Sequence, residues 1–193
     1  SHPAEFAALH ARGLLGPRQL YSHANASTDE ELALLADAGV SVVSTPETEM
    51  QLGIGFPILS RAARAGVKHG IGVDIQANNS ADMFSQMRLG MHACSALAHQ
   101  PMLERTGSAG IEDPVVSTRE IYHTATLGGA EAVGLDHITG SIAVGKAADL
   151  VLLRHDGLHQ TPNIDPFATI VQQSGPRDVD LVMVAGEIIK QGG

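Results

Sequence analysis

Residues 19–45 read QLYSHANASTDEELALLADAGVSVVST, and this stretch decides the fold class. Gln19 to His23 predicts a strand. Ser27 or Thr28 then caps a helix that runs through Leu32, Leu34, Leu35 and Ala38. Both Ser27 to Glu30 and Thr28 to Glu31 have capping-box spacing, and Gly39 supplies the stop. Val40 to Thr45, rich in β-branched residues, predicts a second strand closed by Pro46. Outward from there the pattern continues. Pro57 opens a helix over Ile58 to Ala65 that ends at Gly66, Val67 to Asp74 is a third strand, and Asn79 or Ser80 caps a long helix from Ala81 to about Ala98. Strands alternating with helices at such short spacing require right-handed crossovers, so the sheet is parallel and clad by helices, an α/β arrangement. In such sheets functional side chains gather at the carboxyl ends of the strands. The residues falling there are His23, then Ser44 and Thr45 with Glu47 just after, then Asp74.

Beyond a Gly- and Pro-punctuated segment from Thr106 to Pro114, Ser117 and Glu120 form another capping box, for a helix to about Gly134. The composition then changes. Ala148 to Leu153 predicts an apolar strand, and Asp180 to Lys190 two strands about an Ala185-Gly186 turn. Residues 139–193 therefore read as a small β-rich appendage to an α/β unit of residues 1–138.

Composition narrows the function classes. The 193 residues are 44% hydrophobic and 17% charged, as in a folded globular chain. A formal net charge of -9 disfavours nucleic acid and anionic membrane surfaces as partners, and 3% aromatic content without Trp removes the stacking platforms of single-strand binders. No apolar run reaches the roughly 18 residues of a membrane span, and no signal-peptide pattern opens the chain. The lone Cys94 lies in a helix-like run and reads as a small buried hydrophobe, which suits a reducing cytoplasm. Two motifs fail on inspection. Gly140 to Lys146 approaches a phosphate-binding loop but places Ala147 where a hydroxyl should follow, and Gly70-Ile-Gly72 lacks the third glycine of a dinucleotide fingerprint. The ten histidines form no His-x-His or His-Glu-x-x-His, so their number alone builds no metal site. Among them His23 stands out because it falls at a strand end.

Several stretches, in order, carry a resemblance. They are Tyr21-Ser-His23-Ala-Asn-Ala-Ser-Thr-Asp-Glu-Glu-Leu32, Val43-Ser-Thr-Pro46-Glu-Thr-Glu-Met50-Gln-Leu-Gly53-Ile-Gly55, and Gly70-Ile-Gly-Val-Asp74 with Asn78-Asn79-Ser80 and Asp82-Met83-Phe84 behind it. Ala125-Thr-Leu-Gly128-Gly129 and Gly140-Ser-Ile-Ala-Val-Gly145-Lys-Ala-Ala-Asp149-Leu-Val-Leu follow. Together they resemble the C-terminal half of an amidohydrolase-superfamily enzyme, in the branch of methylthioadenosine and S-adenosylhomocysteine deaminases, guanine deaminase and triazine hydrolases.

That resemblance implies the C-terminal part of a (β/α)8 TIM-type barrel, strands six to eight with their helices over residues 1–138, plus a β-sandwich portion over residues 139–193. It implies that Asp74 is the strand-eight metal ligand and proton acceptor, and that His23 is the strand-six histidine that orients or polarises the hydrolysed centre. One divalent metal is implied in the complete enzyme, zinc before iron, with a small-molecule substrate and deamination of an amino-substituted heterocycle as the reaction. The remaining family ligands, a His-x-His pair and a further histidine, have no counterpart here. The expectation is a fragment that needs an N-terminal half or a complementary chain, with a homo-oligomer as a further possibility. The competing expectation is a catalytically silent binding or assembly module. Where the branch commonly carries His-Asn-Pro-x-Ser-Asn, this chain has Ser44-Thr45-Pro46-Glu47-Thr48-Glu49. Glu47 and Glu49 are expected on a strand-seven loop, either facing a cationic or amine-bearing substrate or simply solvated.

Overall fold

A computed structural model describes residues 5–108 and 115–192. Its first sheet is parallel, in the order β1 (Leu20–Ser22), β2 (Ser41–Ser44), β3 (Lys68–Ile71), with Leu20 opposite Ser41 and Val42 opposite His69. The crossovers are helical, as expected. Helix α1 (Glu5–Ala11) precedes the sheet, and α2 (Asp29–Asp37) joins β1 to β2. Thr28 is the residue that closes the capping box of α2, its hydroxyl accepting from the Glu31 N–H at 3.2 Å. Leu32 and Leu35 of α2 bury fully against Val40, Val42, Ile58 and Ala62. At about 1.5–3 kcal/mol for each buried aliphatic side chain, this layer fixes which face of the sheet carries helices.

The β2–β3 connection holds a helix that the sequence reading missed. Between β2 and α4 (Leu59–Ala65) lies α3 (Pro46–Gln51), so Glu47 and Glu49 sit on a helix and not on a loop. Pro46 stops the strand, but with its fixed φ and missing N–H it also starts a helix, and acidic residues in the first turn suit the positive helix end.

Strand β3 ends at Ile71, short of the expected Asp74, although the Gly72 N–H still reaches the Ser44 carbonyl at 2.9 Å. Helix α5 (Met83–Thr106) is capped by Asp82, not by Asn79 or Ser80, and passes through Pro101 to end at the left-handed Gly107. The helix expected from Ser117 to about Gly134 is two, α6 (Thr118–Ala125) and α7 (Leu127–Ala132). They part at Thr126, and α7 lays Gly129 against β3. A Cβ on Gly70 would stand 3.1 Å from the Gly129 Cα, so the close approach requires glycine. Cys94 is buried among Leu59, Met87, Met91 and Ile121, as a small hydrophobe would be.

The second sheet is antiparallel, in the order β4 (Leu150–Leu153), β5 (Val179–Val184), β6 (Glu187–Gln191). Between β4 and β5 the chain is not β-rich. It makes short helical turns and returns to the α/β layer, where Val171 is buried beside Met87 and Ile121 and its carbonyl accepts from Arg88 at 3.2 Å. No helix among the described residues is long and apolar enough to cross a membrane.

Two stability measurements follow, both on the natural polypeptide. A Cβ at Gly90 of α5 would meet the Leu59 Cδ1 at 2.7 Å and the Pro46 Cγ at 3.1 Å. Gly90→Val is expected to cost about 1–3 kcal/mol in chemical denaturation, because overpacking there presses on the first residue of α3. The Ser117 hydroxyl and N–H hold the Glu120 carboxyl below its ordinary value. A depressed carboxyl adds stability above the unfolded value of 4.5 and loses it as pH falls through the lower folded value. Ser117→Ala should therefore cost about 1 kcal/mol near neutrality, and less in acid.

Candidate active site at the carboxyl ends of the parallel strands

His23 lies one residue beyond β1. Its N–H extends the ladder to the Val43 carbonyl at 2.7 Å, and the chain then turns, His23 and Ala24 both having positive φ (73° and 55°). Asp74 lies three residues beyond β3 and also has positive φ, 67°. Left-handed backbone at residues other than glycine is uncommon and clusters where side-chain aim is functional. Here it marks both outer strands of the parallel sheet at the same end.

The two residues have different surroundings. The Asp74 side chain is exposed, and its carboxylate has no hydrogen-bond or ion-pair partner among the described residues. The His23 side chain keeps 30% of its exposure while Glu49 beneath it has none. His23 Nδ1 is 3.4 Å from Glu49 Oε1 and 3.3 Å from Thr45 Oγ1. Glu49 is also the acceptor for the Thr45 N–H, 2.9 Å to Oε1, and for the Ser44 hydroxyl, 2.7 Å to Oε2. A buried carboxylate needs such donors, since an uncompensated charge out of water is costly.

The other side of α3 holds the segment around Asp74. Thr48 donates to the Val73 carbonyl at 3.4 Å, Asn79 Nδ2 donates to the same carbonyl at 3.0 Å, and Asn79 also donates to the Thr48 hydroxyl. Glu47 Oε2 accepts from Gln86 Nε2 at 2.8 Å and from the Ser80 hydroxyl at 2.9 Å, while the Glu47 N–H donates back to Gln86 Oε1 at 3.1 Å. The oxygens of Glu49 and the Oε2 of Glu47 are thus engaged by protein donors, on a helix that faces the strand ends. Ser44, Thr45, Thr48, Asn79 and Gln86 were not singled out as a network by sequence. The available signal was Pro46 with two following glutamates, which marks a helix start.

Among the described residues no group of three or more His, Cys, Asp or Glu could hold a metal ion. Asp74 offers free carboxylate oxygens suited to a divalent cation, and His23 an unengaged Nε2, but these two donors fall short of the three or four protein ligands of a zinc site. These residues can supply part of a metal centre and not the whole of one.

The amidohydrolase family profile matches residues 2–189. A 5'-deoxyadenosine deaminase of Methanothermobacter thermautotrophicus is 33% identical over 193 residues, covering 99% of this chain and 41% of the relative. A 5-methylthioadenosine/S-adenosylhomocysteine deaminase of Nitratidesulfovibrio vulgaris is 34% identical over 185 residues, 95% of this chain and 39% of that one. Among solved structures, a zinc-bound adenosine deaminase from Xanthomonas campestris superposes with a TM-score of 0.83 at 32% identity, covering 96% of this chain and 40% of that one. A zinc complex of atrazine chlorohydrolase from Arthrobacter aurescens gives 0.79 at 26% identity, covering 97% and 39%. The chain thus spans about 40% of the length of the relatives it matches. With the profile running almost end to end, this chain belongs to the amidohydrolase family.

Proposed function

We propose that these residues are the C-terminal part of a metal-dependent hydrolase of non-peptide carbon–nitrogen bonds that deaminates an amino-substituted heterocycle. In this reading β1, β2 and β3 are the last three strands of a (β/α)8 barrel within residues 1–138. The antiparallel sheet belongs to a β-sandwich portion in residues 139–193. The observation that carries the reading is the pairing of His23 and Asp74 at the same end of the parallel sheet, one anchored from beneath and the other with its carboxylate free. The deaminase relatives at 33% and 34% identity support the reaction class.

Asp74 would be one ligand of a divalent ion, with the other ligands outside these residues. Zinc is favoured because the related adenosine deaminase and chlorohydrolase structures hold zinc. When bound, such an ion lowers the pKa of water toward neutrality and polarises the centre under attack. The residues of this chain then handle the protons. An Asp74 carboxylate oxygen takes one from the attacking water as the water oxygen bonds to the ring carbon. The bond from that carbon to the amino nitrogen breaks, and Asp74 returns the proton as the nitrogen leaves as ammonia. No oxidant or reductant is consumed. His23 presents its ring at the edge of the same space, where it orients the reacting groups. Glu47 and Glu49, their carboxylates held by protein donors, are not assigned to substrate in this reading. The same attack with chloride as leaving group is the nearest variant.

The test uses the complete polypeptide, with ammonia release measured from adenosine, 5'-deoxyadenosine and guanine and chloride release from atrazine. Turnover of at least one amino-heterocycle is expected, lost on chelation and restored by zinc. Asp74→Asn should lower kcat/KM by about 10²–10⁴. Full activity of that variant would overturn the assignment of Asp74, and a metal-free polypeptide inert toward the whole panel would favour a silent assembly module.

A further inference from the structure

We infer that Glu49 is a positioning residue that fixes the tautomer of His23, keeping the proton on Nδ1 and leaving Nε2 bare toward the reaction space. The inference builds on the proposed role of His23, and its main readout does not depend on turnover.

The geometry supplies the argument. Glu49 is fully buried, yet the donors in the β2–α3 turn reach its carboxylate, Ser44 Oγ at Oε2 and the Thr45 N–H at Oε1. Its remaining neighbour is His23 Nδ1, 3.4 Å from Oε1. Two nitrogen states are possible at that position. A bare Nδ1 would turn a lone pair toward a buried anion, which is repulsive in a medium of low dielectric. A protonated Nδ1 donates to the carboxylate and is attracted to it. The Thr45 hydroxyl, 3.3 Å from Nδ1, can rotate to present its oxygen and so accommodates the same state. The bond made by one ring nitrogen sets the state of the other. With Nδ1 protonated, neutral His23 can only accept at Nε2, so it receives a proton or a hydrogen bond from water or substrate. It donates from Nε2 only as imidazolium, whose charge Glu49 then balances. The expectation that His23 polarises the hydrolysed centre is thereby narrowed, since the neutral ring accepts and only the imidazolium can donate.

The experiment is nitrogen NMR of the complete polypeptide labelled at histidine nitrogens, recorded over a rising pH series and read where the His23 signals no longer change with pH. The His23 signals are identified by their loss in His23→Gln. The expected result is a protonated Nδ1 and an unprotonated Nε2. In Glu49→Met, which keeps the length and removes the acceptor, the proton should move to Nε2, whereas Glu49→Gln, which keeps a carbonyl acceptor, should retain it on Nδ1. A protonated Nε2 in the parent protein, or a Met variant with the parent pattern, overturns the inference. If the Met variant does not fold, the parent spectrum decides alone. With adenosine as probe, Glu49→Met should lower kcat about 10²-fold with KM unchanged. A rise in KM alone would make Glu49 a substrate contact and overturn the inference. A polypeptide with no activity on adenosine leaves the spectral test intact, so failure of the proposed reaction and failure of this inference are told apart.

Discussion

The site depends on one six-residue helix wedged between two strand ends. Helix α3 follows β2 directly, so its position along the sheet is set by the parallel register, and its side chains reach both neighbouring strands. Glu49 reaches toward β1, to His23, while Thr48 reaches past β3, to the carbonyl of Val73 immediately before Asp74. The two residues at the outer strands are therefore not independently placed. Each is tied to α3, His23 through its ring and Asp74 through the preceding carbonyl, by a buried or half-buried polar bond, and such bonds are costly to break because the partner left behind is desolvated.

A helix this short has no stability of its own, since nucleation is unfavourable below about 12–15 residues. It persists because the surrounding apolar layer over-determines it. Gly90 lets α5 come within contact of Pro46, and Gln86, one turn earlier on the same helix, receives the Glu47 N–H and returns its amide to the Glu47 carboxylate. Helix α5 in turn is pinned by Arg88, whose guanidinium donates to the Val171 and Ser174 carbonyls of the segment returning from the second sheet. Chain distant in sequence thus buttresses the rim that carries His23 and Asp74.

Much of this was legible beforehand and some was not, for identifiable reasons. The alternation of strands and helices could be read from Leu32, Leu35, Val40 and Val42 because periodicity reports burial, and these residues are buried. His23 and Asp74 were legible as strand-end residues, the second through a strand drawn three residues too long. What escaped was local and polar. Pro46 is both a strand stop and a helix start, and only the following glutamates tip the balance toward the second. Asp82 competes with Asn79 and Ser80 as a cap and prevails because it stands immediately before the first helical residue, where its carboxylate accepts from the Phe84 N–H. The Glu49 network joins residues 23, 44, 45 and 49 across two strands, and no one-dimensional pattern encodes such a contact.

The departures from the pattern common in this branch gain a physical meaning from that network. Where His-Asn-Pro-x-Ser-Asn would stand, Ser44, Thr45 and Glu49 replace the first, second and last residues. These three replacements contact one another, Ser44 through its hydroxyl and Thr45 through its backbone N–H, both to the Glu49 carboxylate. Isolated changes at a rim would leave a buried acid without donors or a serine without an acceptor, each costing about 1–3 kcal/mol or more. Taken together they satisfy one another and deliver a carboxylate to His23. The polar groups at this edge therefore act on one another from beneath His23, whose ring is the one member of the set that keeps solvent exposure.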